Sequence, residues 1–256
     1  MRYHIGREST NDTTGARTSG LLAVRERIAQ AEQRYDRKPG SVRLLAVSKK
    51  KPAEAIRVAF LSGQRAFGEN YAQEAVVKQR ELADVPAEWH FIGPIQSNKT
   101  RLIAEHFAWV HSIDRIAIAE RLSRQRGAGL PPLAVCLQVN VSGESTKSGV
   151  SLASRLQPLW ELALAVADLP HLRLRGLMTI PAPNETGDNP DARFAAQCRP
   201  FRLLREALEE LNARGLGLDT LSMGMSDDLE AAIAEGATLV RVGTAIFGAR
   251  GMPEPG

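Results

Sequence analysis

The stretch Val42 to Ile56, "VRLLAVSKKKPAEAI", holds the fold in miniature. Its first half is an apolar run fit for a buried strand. Pro52, followed by Ala53, Ala55 and Ile56, marks the start of a helix, because proline suits the first helical position. A strand that runs directly into a helix is the half-unit of a parallel sheet, since a crossover helix brings the chain back in the same direction. Three consecutive lysines, Lys49, Lys50 and Lys51, fill the junction.

The same unit repeats along the chain. Strand candidates are Arg43 to Ser48, Ala66 to Phe67, Trp89 to Ile92, Trp109 to Ser112, Leu133 to Val139, Leu174 to Met178, Thr220 to Ser222 and Leu239 to Val242. Helical periodicity falls between them, over Ala53 to Ser62, Tyr71 to Leu82, Ser97 to Glu105, Arg115 to Arg126, Leu152 to Ala167, Ala192 to Ala213 and Asp227 to Glu235. A further helix, Gly20 to Tyr35, precedes the first strand. Eight strand units in 256 residues predict an α/β fold, a single (β/α)8 TIM barrel with an additional N-terminal helix. An open doubly wound sheet would carry a Gly-x-Gly-x-x-Gly turn after its first strand, and none is present. The expected organisation is a polar tail over 1–20, a barrel over 21–250 and a short tail over 251–256.

Composition narrows the function classes. With 43% hydrophobic and 24% charged residues, the chain is ordinary for a soluble domain, and no apolar run approaches the roughly 20 residues of a membrane span. The net charge of +4 is spread over predicted helices instead of forming one stripe, which argues against nucleic acid. Cys136 and Cys198 fit neither a disulfide framework nor a zinc spacing, so no metal is expected and a reducing cytoplasm is the natural compartment. Without a long exposed apolar seam, a monomer is expected.

In a barrel, chemistry gathers where the strands end. Lys51, before Pro52, is expected at the helix cap facing solvent. Lys49 shares a strand face with Leu45 and Val47, and Lys50 shares the other with Leu44, Ala46 and Ser48; both faces are apolar, so alternation does not choose between them. An amine in a partly desolvated site can condense with an aldehyde to form a Schiff base, whereas an ordinary strand-end lysine is a solvated charge. Near the other end, "LSMGMSDDLEAAIAEGATLVRVGTAIFG" sets Ser222, Met223, Gly224 and Ser226 after the seventh strand and Gly243 and Thr244 after the eighth, the usual barrel phosphate region. Ser226 before Asp227 and Asp228 reads equally as a helix N-cap. Arg241 interrupts an apolar strand and needs a partner, either an internal carboxylate or a ligand. Asn70 follows a strand end, and His90 within "WHFIG" reads as a core histidine or a site residue.

With these residues assembled, the chain resembles the pyridoxal-phosphate homeostasis protein family, whose barrel is like the amino-terminal domain of alanine racemase. The matching segments include "LLAVSKKKP", "FGENYAQE", "WHFIGPIQSNK", "VNVSGESTKSG", "RGLMTIPAP" and the glycine-rich segment above. The resemblance implies that Lys49 carries pyridoxal 5'-phosphate as a Schiff base. It places Ser222, Met223, Gly224, Ser226, Arg241, Gly243 and Thr244 around the phosphate and ring, with Asn70 and His90 near the cofactor. Lys50 stands where relatives are expected to have an uncharged residue. The loop around Asn184 to Asn189 lies outside the resemblance.

A pyridoxal enzyme also needs a base at the substrate α-carbon. Racemases of the related fold take one from a second domain, and this chain offers only Tyr3, Tyr35 and Tyr71. The resemblance therefore implies a non-catalytic carrier that stores, buffers or delivers the cofactor, with apo pyridoxal enzymes as recipients and an indirect effect on amino-acid and keto-acid balance. A single-domain amino-acid racemase is the alternative. A second, weaker cofactor site could draw on Lys78, Lys99, Arg101 and Lys147.

Overall fold

In the computed structural model, residues 9–144, 148–152, 156–182 and 189–248 are described, with side chains from Thr18 onward. A first helix, α1 (Ser9–Arg34), precedes the strands. The strands are β1 (Arg43–Val47), β2 (Ala66–Glu69), β3 (Glu88–Phe91), β4 (Trp109–Ile113), β5 (Leu133–Asn140), β6 (Val150–Ser151), β7 (Leu172–Met178), β8 (Thr220–Ser222) and β9 (Leu239–Val242). Apart from the two-residue β6, which pairs only with the end of β5, they follow the order β4-β3-β2-β1-β9-β8-β7-β5. Pairing of β5 with β4 closes the ring, and every pairing is parallel. The chain is a closed (β/α)8 barrel.

The crossovers are α2 (Ala53–Leu61), α3 (Ala72–Glu81), α4 (Thr100–His106), α5 (Ile116–Gln125), α6 (Gln157–Ala167), α7 (Pro190–Ala213), α8 (Leu229–Ala234) and the one-turn α9 (Thr244–Phe247). Apolar residues on their inner faces, such as Ile56, Ala75, Ile103, Leu122, Ala163 and Leu204, are fully buried against the outward residues of the strands and form the main core. A smaller cluster of Leu45, Ala66, Leu239 and Ile92 contains no helix residue and therefore fills the inside of the barrel. A second internal cluster joins Trp109, Ala134, Cys136 and Met178.

The N-terminal helix begins at Ser9, so residues 9–19 of the segment expected as a tail are helical. Its close approach to the barrel is set at Gly20, where a Cβ would lie 2.6 Å from the Ala245 carbonyl oxygen of α9. Only a residue without a side chain lets α1 rest on α9, beside the carboxyl ends of the strands.

Candidate functional site

Strand alternation now resolves the lysine triplet. Leu45 belongs to the internal cluster and Ala46 to the outer core, so Leu45 and Val47 point inward and Ser48 points out toward α3. Lys49 follows in the turn closed by the Lys51 N–H on the Ser48 carbonyl at 3.0 Å, and borders the same cavity as Val47 and Arg241. Lys50, with φ +58, takes the left-handed position of that turn. The Lys49 side chain is exposed at the barrel mouth, in the wall of a cavity of about 560 Å³ shared with Arg27, Ser226, Arg241, Gly243 and Thr244. A second cavity, about 280 Å³, adjoins it and is bounded by Lys49, Lys50, Lys51, Tyr71 and Thr244. Lys51 is half-buried instead of facing solvent, because its Nζ donates to the Phe247 and Gly248 carbonyl oxygens at 3.1 and 3.0 Å.

Half of the expected residues line these cavities: Lys49, Ser226, Arg241, Gly243 and Thr244. Met223 does not, since its side chain is fully buried in the outer core. Gly224 (φ +91) closes the turn after β8, with its carbonyl accepting the Arg241 N–H at 2.9 Å. Ser226 is not a side-chain cap; its carbonyl accepts from Arg27 Nη2 at 3.0 Å, while Asp228 Oδ1 holds the Met225 N–H at 2.6 Å. Burial pushes the Asp228 carboxyl up. Asn70 lies outside both walls, and its Oδ1 is buried without a partner, an open acceptor at the carboxyl end of β2. Gly93 permits this arrangement, because a Cβ there would sit 2.4 Å from the Asn70 carbonyl oxygen.

Beneath the cavity runs a buried polar chain. Arg241 Nη1 donates to Ser222 Oγ at 2.9 Å and Nη2 donates to the Thr179 carbonyl oxygen at 2.8 Å. Ser222 Oγ lies 2.8 Å from His111 Nδ1, His111 Nε2 lies 2.9 Å from His90 Nδ1, and His90 Nε2 lies 2.7 Å from Glu88 Oε1. His90 and His111 are fully buried, and burial is the main cause holding both below the ordinary imidazole range, His111 the further. Burial also lowers Arg241, to about 10, which keeps it cationic at neutral pH. His90 is thus a residue of the barrel interior, joined to Arg241 through His111 and Ser222.

Sequence reasoning missed Arg27 and His111. Arg27 reaches the cavity from α1 and is fixed by Glu230, with Nε–Oε1 2.9 Å and Nη2–Oε2 3.0 Å. That hydrogen bond is the leading cause of a raised Arg27 pKa. Nothing local in "AVRERIAQ" distinguishes Arg27 from its neighbours, since its partners lie at the far end of the chain. His111 sits in "WVHSI" on the same strand face as Trp109, and its inward direction could have been inferred from alternation.

Comparison with known proteins places this geometry. Residues 20–251 match the family model described as the alanine racemase N-terminal domain. A pyridoxal phosphate homeostasis protein of Pseudomonas aeruginosa is 63% identical over 92% of this chain and 96% of its own length. One from Escherichia coli is 55% identical over 90% and 95%. The structure of PipY from Synechococcus elongatus with PLP bound superposes with a TM-score of 0.74 at 39% identity, covering 90% of this chain and 99% of that one. Alanine racemase from Corynebacterium glutamicum, at 18% identity and TM-score 0.64, shares the fold. The fold and its mouth define a barrel of the alanine racemase N-terminal class. Within that class the chain belongs to the pyridoxal phosphate homeostasis protein family.

Proposed function

We propose that this protein binds pyridoxal 5'-phosphate covalently through Lys49 and serves intracellular homeostasis of that cofactor by storing, buffering or delivering it. The observation that carries the reading is the meeting of Lys49 with Arg241, Ser226 and Thr244 in one cavity. These residues fit the group: an amine for an aldehyde, a cation for a ring nitrogen, and hydroxyls with Arg27 for a phosphate. Lys49 would supply the amine that condenses with the cofactor's aldehyde with loss of one water. When bound, the cofactor supplies an electron sink. Arg241, cationic at neutral pH, would hold a ring nitrogen placed against it unprotonated and so weaken the sink, which favours carriage over turnover.

The remaining parts of the reading follow from the same class of chemistry. No helix among the described residues is long and apolar enough to cross a membrane, in keeping with a cytoplasmic carrier. Recipients would be apo-forms of pyridoxal enzymes, and the chain would act as a monomer. The test is absorbance of the purified protein with pyridoxal 5'-phosphate, followed by borohydride trapping and peptide mapping. An adduct on Lys49 that disappears in Lys49→Ala supports the reading, and equal trapping in both proteins overturns it.

One observation favours a second reading. Tyr71 lines the smaller cavity together with Lys49, with Lys50 Nζ 5.9 Å from its ring centre, so a phenol that could serve as a second base borders the same space as the amine. Exchange of an amino-acid α-proton in deuterated water, lost in Tyr71→Phe, would support it.

A further inference from the structure

Behind the lysine triplet, between β1, β2 and α3, lies a buried ionic cluster that meets the triplet at the Lys50 backbone amide. Lys78 of α3 has a side chain only 7% exposed. Its Nζ donates to Glu69 Oε1 at 2.8 Å, to Glu74 Oε1 at 2.6 Å and to the Ser48 carbonyl oxygen at 2.8 Å. Glu69, fully buried, also accepts from Ser48 Oγ at 2.7 Å. Glu74 Oε1 accepts the Lys50 N–H at 2.7 Å. Lys78 is therefore a structural cation and no part of a second surface site.

The cluster grips both flanks of Lys49. Ser48 is held at its hydroxyl and its carbonyl, and Lys50 at its amide, in a backbone conformation that residues with side chains rarely adopt. A pair of buried charges is costly to assemble, and breaking it by removing one partner is costlier, so such a cluster is weak evidence for added stability and better evidence for a fixed geometry. Lys49, Lys50 and Lys51 all border the same cavity; the Lys51 amine is held by the Phe247 and Gly248 carbonyls, which leaves backbone direction to distinguish Lys49 from Lys50.

We propose that Lys78 is a positioning residue that selects Lys49 as the attachment point: with Glu69 and Glu74 it locks Ser48 and Lys50 so that, of the triplet, Lys49 is the one that borders the cavity lined by Arg27, Ser226 and Arg241. The selection rests on the covalent-binding reading above. In the test, the full chain, Lys78→Met and Glu74→Ala are each treated with pyridoxal 5'-phosphate and borohydride, and the adduct is mapped. Amide hydrogen exchange of Lys50 is followed in the same proteins without cofactor. Wild type carries its adduct on Lys49. Both variants shift label to Lys50, raising its share about tenfold, the consequence of one lost hydrogen bond of about 1.4 kcal/mol, and exchange at the Lys50 amide speeds up by a similar factor. Glu74 is only half-buried, so its variant folds even where Lys78→Met does not. An unchanged Lys49-to-Lys50 distribution in Glu74→Ala overturns the proposal and leaves covalent binding standing. Absence of any adduct on the wild-type triplet overturns both, while the Lys50 exchange rates still report on the lock itself.

Discussion

Arg241 and Ser222 meet inside the barrel with Nη1 2.9 Å from Oγ, and this contact gives direction to every hydrogen bond beyond it. Glu88 Oε1 already accepts from Arg43 Nη2 at 2.6 Å, so His90 Nε2 must donate to Glu88. A neutral His90 then accepts at Nδ1 from His111 Nε2, and a neutral His111 accepts at Nδ1 from the Ser222 hydroxyl. Ser222 gives its proton away and receives one from Arg241. The sequence of donors runs one way, from the cavity-lining arginine to a carboxylate at the amino end of β3.

Ser222→Ala cuts this chain in the middle and leaves an Arg241 donor and a His111 acceptor buried without partners. The expected loss is about 1–3 kcal/mol in urea unfolding at neutral pH. Ser222→Thr, which keeps the hydroxyl, recovers part of it.

The same residues set an acid limit. His90 and His111 are held neutral by burial, among Trp109, Ser222, Arg241, Arg43 and Glu88, so the unfolded chain binds more protons below the ordinary histidine value of 6.5. Stability is therefore complete above that pH and falls as pH drops through it toward the depressed folded values. Glu88, held down to about 2 by the His90 hydrogen bond and Arg43 against an ordinary 4.5, adds a further loss between those two values. Denaturant midpoints across the acid range should decline in these two stages, and a His90→Gln, His111→Gln double variant should flatten the first.

Arg27→Met removes a cation from the cavity wall without touching Lys49. Affinity for inorganic phosphate, read by its competition with pyridoxal 5'-phosphate, should fall roughly tenfold or more, the usual worth of a charge-assisted hydrogen bond. The unliganded protein should lose little stability, because the Arg27–Glu230 pair is about one-third exposed.

Gly20→Ala sets a methyl group against the Ala245 carbonyl and forces α1 away from α9. Since α1 carries Arg27 and α9 begins at Thr244, both cavity walls move together. The variant is expected to weaken phosphate binding by at least as much as Arg27→Met, a comparison that titration calorimetry can make.

Much of the barrel was legible because its signal is local. β8 and β9 coincide with their predicted spans, since a short apolar run bounded by turn formers needs no distant information. β2 extends two residues past its expected end, through Gly68 and Glu69, because parallel pairing with β3 stabilises residues that read locally as turn formers. β6 and α9 escaped notice because they are too short to have a period. The expected loop around Asn184 to Asn189 lies mostly outside the described residues, and Lys147, named as a possible second-site residue, lies wholly outside them. The site was less legible than the fold. Lys49 could not be told from Lys50 until Leu45 was seen to face the barrel interior, and Met223 turned outward where its neighbours in sequence suggested a site residue. Arg27, Lys78 and His111 acquire meaning only from partners that the folded chain brings to them.

The pleat of β1 has one more consequence. Three identical amines occupy successive positions; an even distance from Leu45 separates Lys49 and Lys51 from Lys50, and the Phe247 and Gly248 carbonyls, by holding the Lys51 amine, separate Lys49 from Lys51. Deleting a single residue between Val47 and Lys49 would keep the triplet, its charge and the cavity, yet deliver a different lysine to the inner face. Position along the chain and one pair of carbonyls, more than the chemistry of the amine, give the proposed attachment point its address, so a shift of one residue in this junction is expected to disturb the cavity's amine more than a change in the identity of its neighbours.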